Sequence, residues 1–183
     1  MPIITAKNIV DFWFSDESRS KWFSSTAKFD QILLERYEQL WIEAKTGKLE
    51  DWTSTPTGCL ALIIILDQLP LNMFRGLAKS FQTEARAIEV CKIALNSDFH
   101  HQLPLQQRAF LYMPLMHSEN LDDQDLAVSL FAADDLSSNL RFAKHHRELI
   151  RKFDRFPHRN VILGRKNTKS ESDYLNSKEA FTG

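Results

Sequence analysis

Hydrophobic residues recur along most of the chain at intervals of three and four, the spacing that places them on one face of an α-helix. The clearest case is the segment before Gly47, where the repeating residues are Phe29, Leu33, Tyr37, Leu40, Trp41 and Ala44. Glycine commonly ends helices, so this pattern predicts a long helix that stops at Gly47.

Residues that cap helix starts mark several further elements. Thr5 is placed to cap a first helix, and Asn120 to cap a helix from about Leu121 to Ala133. Thr168 and Glu171 have the spacing of a capping box, in which each residue satisfies a backbone N–H at the start of a short last helix.

The most apolar segment extends from Pro56 to Gln68. A buried strand is the competing interpretation, because the segment is rich in isoleucine. Its length and its Thr-Pro start favour a buried helix. We expect Pro70 to end this helix, and Pro114 to kink or break a later helix that opens at Pro104.

Two helices complete the predicted set. One covers about Lys79 to Asn96, and the other about Ser138 to Phe153 with Phe142, Leu149 and Ile150 inward. Consecutive helices with short connections predict antiparallel neighbours. The expected fold is therefore all-α, an irregular stack of antiparallel helical hairpins that forms one domain over residues 1–176, with a frayed tail at 177–183.

Composition supports this fold class and limits the partners. The chain has 183 residues, 43% of them hydrophobic, and only 5 Gly and 6 Pro, too few for the many turns of an all-β protein. The net charge of −1 indicates no general attraction to nucleic acids or membranes. Nucleic acid is therefore an improbable partner.

Charge is unevenly distributed near the carboxyl end. Residues 119–135 contain six acids and no Lys or Arg, whereas residues 141–169 contain ten Lys or Arg and two acids. Two interpretations remain open: the two segments form an electrostatically matched helix pair, or the basic segment faces a ligand.

The sequence also indicates a cellular location. Cys59 and Cys91 both lie in apolar surroundings, as expected of reduced thiols in a reducing compartment. The amino-terminal segment lacks the features of a secretory signal, and the apolar run from Cys59 to Leu66 is too short to cross a bilayer. We expect a cytoplasmic protein that does not enter a membrane.

Three segments carry polar groups in apolar surroundings. Asp67 and Gln68 follow four large aliphatic residues, where an acid needs a cation or strong donors. Arg75 is the nearest cation along the chain. Asp67 and Arg75 either form a buried structural pair or line a pocket.

The segment Tyr112 to Glu119 places His117, Ser118 and Glu119 directly after a proline in a helix. His117 and Glu119 are candidates for acid–base catalysis. Alternatively, Ser118 and Glu119 cap the next helix and His117 binds a backbone carbonyl.

The segment Arg155 to Arg165 interleaves three arginines and His158 with apolar residues. Guanidinium groups suit carboxylate or phosphate ligands, because they offer forked donors. The alternative is that Arg155, Arg159 and Arg165 neutralise the acidic segment and Asp67.

Motifs of well-known enzymes and metal sites are absent, among them HExxH, paired CxxC, Walker A, GxGxxG and GxSxG. The adjacent pairs His100-His101 and His145-His146 cannot both face one point on a regular helix. The sequence therefore predicts no metal site and no cofactor.

An ordered set of motifs from about residue 8 to 176 resembles the bacterial family called domain of unknown function 924. The motifs are VDFWF, GKLEDW, LALIIILDQLPLNMFRG, LYMPLMHSEN, RFPHRNVILGR and the T-x-x-E that follows. The resemblance implies an all-α fold grouped with tetratricopeptide-like superhelices, and it supplies no catalytic residues.

The chain departs from the family pattern at two positions. Leu71 stands where the family usually has Arg, which removes one partner for Asp67 or for a ligand. Asp154 stands where the family usually has Gly, and we expect it to pair with a nearby arginine.

Two functional hypotheses follow. In the first, a pocket between helices binds a small carboxylate or phosphate ligand, with or without catalysis. Its candidate residues are Asp67, Gln68, Arg75, Tyr112, His117, Glu119, Arg155, His158, Arg159 and Arg165. In the second, the helices form a tetratricopeptide-like scaffold that binds a peptide or protein partner.

Overall fold

A computed structural model describes residues 4–181 and contains no β-strand among them, which confirms the all-α prediction. The α-helices are α1 (Ala6–Trp13), α2 (Asp16–Arg19), α3 (Ala27–Lys45), α4 (Pro56–Ile63), α5 (Leu69–Met73), α6 (Glu84–Asn96), α7 (Leu105–His117), α8 (Leu121–Ala133), α9 (Ser137–Phe153) and α10 (Lys169–Leu175). A π-helical segment, Ile64–Gln68, joins α4 to α5.

Contacts between residues group the chain into two compact units. Unit 1 contains residues 1–75 and 79–114, and unit 2 contains residues 76–78 and 115–183. The single domain over 1–176, the frayed tail and the tetratricopeptide-like superhelix stay predictions.

The core of unit 1 is built around α4, which packs against α1 and α6. Every residue from Gly58 to Pro70 is buried, as the interpretation of this segment as a buried helix requires. Thr55 caps α4 by accepting a hydrogen bond from the Gly58 N–H, and Pro56 occupies the first turn.

The prediction that Pro70 ends this helix is wrong. The chain continues through the π-helical segment into α5, where Pro70 lies in the first turn. A proline there costs little, because the first N–H groups of a helix have no intrahelical acceptor. Asp67 and Gln68 therefore lie inside a helical run and not at its end.

The apolar run is also longer than Cys59 to Leu66. Residues Pro56–Met73 are long and apolar enough to cross a membrane by length and composition alone. Of this segment, 83% is buried inside the protein, as in the core helix of a folded domain. The segment is therefore weak evidence for a membrane span.

Two predicted helix boundaries also change. Helix α7 continues through Pro114 to His117, so Pro114 does not break it. Helix α6 begins at Glu84 and not at Lys79, because Ala78–Phe81 form a separate 3-10 helix. The buried hydroxyl of Thr83, which precedes α6, does not cap it. It accepts a hydrogen bond from the Trp41 indole at 3.0 Å and donates to the Leu66 carbonyl at 2.5 Å.

Unit 2 begins with a helical hairpin of α8 and α9, which pack against each other. Asp125, in the first half of α8, lies 3.3 Å from Arg147 and 3.4 Å from Arg151, both in the second half of α9. The two helices are therefore antiparallel, and these pairs match the acidic segment to the basic one. Asn120 caps α8 as predicted.

The buried face of α9 differs from the predicted one. Phe142 is 45% exposed, because the inward positions are taken by Ala143, His146, Leu149 and Ile150. Leu149 and Ile150 form an apolar cluster with Phe156 and Tyr174. His146 thus faces the core, whereas Phe142, expected to do so, does not.

Candidate functional site

The candidate residues divide between the two units. Unit 1 contains Asp67, Gln68, Arg75 and Tyr112, and unit 2 contains His117, Glu119, Arg155, His158, Arg159 and Arg165. The groups from the two later segments meet within unit 2, although up to 46 residues separate them along the chain.

In unit 1, Asp67 is 4% exposed and accepts a hydrogen bond from the side chain of Gln68 at 2.5 Å. Arg75 donates to Asp30 at 2.9 Å and to Asn72 at 2.8 Å. The predicted pair of Asp67 with Arg75 is therefore wrong. The Arg75 side chain is 60% exposed and stays at the surface, whereas Asp67 is buried.

Tyr112 is also buried in unit 1. Its side chain is fully enclosed, and its ring lies 6.3 Å from the ring of His100. Tyr112 thus packs inside unit 1.

In unit 2, Glu119 and Arg165 form a two-pronged ion pair. The two terminal nitrogens of Arg165 lie 2.7 and 2.9 Å from the two carboxylate oxygens of Glu119. The same carboxylate accepts the Phe156 N–H at 2.8 Å, and Arg165 also donates to the Phe156 carbonyl. These bonds fasten the loop after α9 to the segment before α8.

Glu119 is ionised and acts as a clamp, in that its carboxylate holds Arg165 and the Phe156 N–H. Burial acts to raise its pKa, but the bonds from Arg165 and Phe156, with the charges of Arg165 and Arg159, outweigh burial and lower the pKa. Both oxygens are occupied by donors. The carboxyl group is thus poorly suited to donate a proton near neutral pH, which counts against Glu119 as a general acid.

The buried side chain of Arg159 also connects the loop after α9 to the segment before α8. It is 6% exposed, donates to the His117 carbonyl at 2.9 Å and holds its guanidinium 4.5 Å from the centre of the Phe156 ring. His117 and Arg159, 42 positions apart in the sequence, are therefore neighbours in unit 2.

His158 brings an imidazole to this position. Its ring packs against Phe156 at 5.6 Å and Phe181 at 5.1 Å. Its Nδ1 atom is buried and has no hydrogen-bond partner among residues 4–181. Burial, followed by the positive charge of Arg159, lowers the pKa of His158 to about 4.

Sequence reasoning missed His146, a buried histidine on the inward face of α9. Its Nδ1 lies 2.8 Å from the Phe142 carbonyl and therefore carries the proton, since a carbonyl can only accept. Burial, opposed by the hydrogen bond to the Phe142 carbonyl and assisted by the neighbouring His117, His145 and His158, lowers the pKa of His146 to about 3. Its spacing with Leu149 and Ile150 was the available signal.

Four residues, His117, His146, His158 and Arg159, thus form what we call the imidazole cluster. Phe156 contacts His146, His158 and Arg159 directly. Phe181 adds a second aromatic wall, with its ring 4.8 Å from that of His146. The result is a group of three imidazoles and one guanidinium, partly to fully buried, beside the rings of Phe156 and Phe181.

Arg155 serves a different purpose. Two of its nitrogens lie 2.6 and 2.9 Å from the two oxygens of Glu171, which is 1% exposed. Glu171 also accepts the Thr168 N–H, which completes the predicted capping box. The Arg155 bond, opposed by burial and assisted by the Thr168 N–H, lowers the pKa of Glu171 to about 2.

The backbone conformation at Asp154 accounts for the glycine that the family usually has at this position. It ends α9 with φ 58°, in the left-handed region that glycine adopts without steric cost. The expected pair of Asp154 with an arginine is not formed among the described residues; Arg155 bonds Glu171 instead.

Residues 9–179 match the family described as "Bacterial protein of unknown function (DUF924)". The chain belongs to this family. It is also similar to a solved structure, "Structure of Protein of Unknown Function ATU0120 from Agrobacterium tumefaciens". That protein is 34% identical, the match covers 93% of this chain and 96% of the other, and the TM-score is 0.88. No curated protein matches the chain.

Proposed function

We propose that unit 2 binds a small anion, a carboxylate or a phosphate, at the imidazole cluster. The observation that carries the proposal is the buried Nδ1 atom of His158, which has no hydrogen-bond partner among the described residues and lies near the positive charge of Arg159. A buried polar atom without a partner is costly, and a ligand oxygen would satisfy it.

Charge favours an anion over a cation or a neutral ligand. Arg159 and Arg165 both act to lower the pKa of His158, which means that their positive potential reaches the imidazole. A bound anion would offset that potential and allow His158 to take up a proton. The charged pair would then be held by a charge-assisted hydrogen bond.

The ligand-binding set is smaller than the one proposed from sequence. Glu119 forms an ion pair with Arg165, and Glu171 forms one with Arg155. We therefore assign these pairs to holding the loop, and His117, His158 and Arg159 to the ligand. Because Glu119 is clamped, we confine the proposal to binding and add no acid–base reaction.

The test is calorimetric titration of the protein with inorganic phosphate and with citrate. We expect saturable binding by the wild type and a loss of at least about tenfold in affinity for His158→Gln, since one good hydrogen bond to a charged group is worth about 1.5 kcal/mol or more. His145→Gln is the matched control, because His145 is an exposed imidazole on α9.

The pH dependence adds a second readout. Because the anion favours protonated imidazole, affinity should rise as the pH falls from 8 towards 5, and His158→Gln should flatten this rise. Equal affinities for wild type and His158→Gln, or no binding of either anion at pH 5, would refute the proposal.

We also propose that the protein works in the cytoplasm. Cys59 and Cys91 are both buried and form no disulfide, a state typical of proteins kept in a reducing compartment. Fractionation of cells that produce the full chain would test this proposal, and recovery from the periplasm would contradict it.

A further inference from the structure

We infer that unit 1 contains a binding site for a divalent transition-metal ion of the zinc class, formed by Asp98, His100 and His101. One possible ligand atom from each residue, a carboxylate oxygen and two imidazole nitrogens, lies within 4.8 Å of the other two. All three belong to the connection between α6 and α7, so the site is independent of the anion site proposed in unit 2.

The two adjacent histidines approach each other through their side chains. In the short 3-10 helix Phe99–Gln102, with three residues per turn, neighbouring side chains leave the backbone about 120° apart. The ring centres of His100 and His101 are nevertheless only 3.9 Å apart. The expectation that adjacent histidines cannot face one point therefore does not hold for this pair.

Asp98 reaches the same point through an unusual conformation. It has φ 55°, in the left-handed region, which aspartate tolerates better than most residues. Asp98 is exposed, and one of its carboxylate oxygens lies within 4.8 Å of an imidazole nitrogen of each histidine. The carboxylate is therefore available as a ligand.

The turn that carries the histidines is fastened from both sides. Arg108, in α7, donates to the Leu103 carbonyl at 2.9 Å and to the His101 carbonyl at 3.3 Å. The ring of His100 lies against the fully buried ring of Tyr112. A fixed backbone lowers the entropy lost when ligand side chains are ordered around an ion.

The donor set selects the class of ion. Two imidazole nitrogens and one carboxylate oxygen suit Zn²⁺, Co²⁺, Ni²⁺ and Cu²⁺, whereas Mg²⁺ and Ca²⁺ prefer oxygen ligands. In a tetrahedral zinc site with bonds of about 2.0–2.1 Å, ligand atoms lie about 3.3 Å apart, so small side-chain rotations would close the site. A fourth position stays open to water.

The test uses untagged full-length protein, freed of metal, titrated with Co²⁺, whose visible spectrum reports imidazole coordination. We expect one Co²⁺ per chain, displaced by Zn²⁺ and unaffected by excess Mg²⁺. His101→Ala should weaken binding by at least about tenfold, and Asp98→Asn should weaken it by a smaller factor. Both residues are exposed, so the fold should persist in these variants.

His145→Ala is the matched control, because it removes an exposed histidine from unit 2 and should leave the Co²⁺ spectrum unchanged. His158→Gln should also leave it unchanged, which separates this site from the anion site. Failure of the wild type to bind Co²⁺, or equal affinities for wild type and His101→Ala, would overturn the inference.

Discussion

The two units differ in what fills their interiors. Of the twelve largest fully buried side chains among the described residues, ten belong to unit 1, and only Phe131 and Phe156 belong to unit 2. Unit 2 instead encloses charged and ionisable groups, with His146, Arg159 and Glu171 each at most 6% exposed. Apolar packing stabilises unit 1, whereas ion pairs and hydrogen bonds between charged groups largely stabilise unit 2.

The difference shows how each unit can respond to its surroundings. Apolar burial has no titration and little dependence on salt. Ion pairs and buried histidines depend on both, because protonation or screening changes their free energy directly. We therefore expect unit 1 to act as a stable frame and unit 2 to be the part that senses pH and anions.

The largest effect is expected from a cavity in unit 1. Leu60 is fully buried in α4, and Leu60→Ala should lower the free energy of unfolding by about 3 kcal/mol, the usual cost of a buried leucine. Urea denaturation measures it. Leu105→Ala, at a residue 48% exposed, should cost much less. An equal loss in the free energy of unfolding for the two variants would contradict the view that buried apolar side chains stabilise unit 1.

A smaller effect is expected from the clamp in unit 2. Glu119→Gln keeps an acceptor for the Phe156 N–H but removes the charge that Arg165 faces, and should cost about 2 kcal/mol in urea denaturation. Asp125→Asn, which weakens only surface pairs with Arg147 and Arg151, should cost less than about 0.5 kcal/mol. If the two variants matched, the clamp would be energetically equivalent to a surface pair.

The third comparison concerns pH. The folded pKa of Glu171, about 2, lies below its ordinary value of 4.5, so its ionised form stabilises the folded state above pH 4.5. This contribution is lost as the pH falls from about 4.5 to 2. We expect Glu171→Gln to be less stable than wild type at pH 7 and to show a shallower decline in Tm below pH 4.5. Parallel Tm profiles would contradict this expectation.

Local features of the fold could be read directly from the sequence. Thr5, Asn120 and the Thr168–Glu171 capping box start helices where predicted, because capping depends on residues within one turn of each other. Helical spacing likewise located α3 and α8. Pro70 was misleading, since the chain continues through the π-helical segment into α5. Pro114 lies inside α7 without breaking it.

The sequence indicated which types of residue form the candidate site, but it did not indicate which residues pair with each other. Arginines and acids in the late segments indicated ion pairing, yet nothing local distinguished Glu119 or Glu171 as the partner of Arg165 or Arg155. These choices depend on contacts between residues that are 16 to 46 positions apart. His146 has helical spacing with Leu149 and Ile150, but only the folded chain shows that it is buried while the adjacent His145 is exposed.

The sequence by itself determined the helices, the all-α class and the family, because each depends on short-range spacing or on an ordered set of motifs. Only the tertiary structure decided which charges neutralise one another, which imidazoles are buried and how His100 and His101 come to share a point. The physical reason is that pKa values and ion pairing are set by distance and solvent exposure, and the folded chain fixes both.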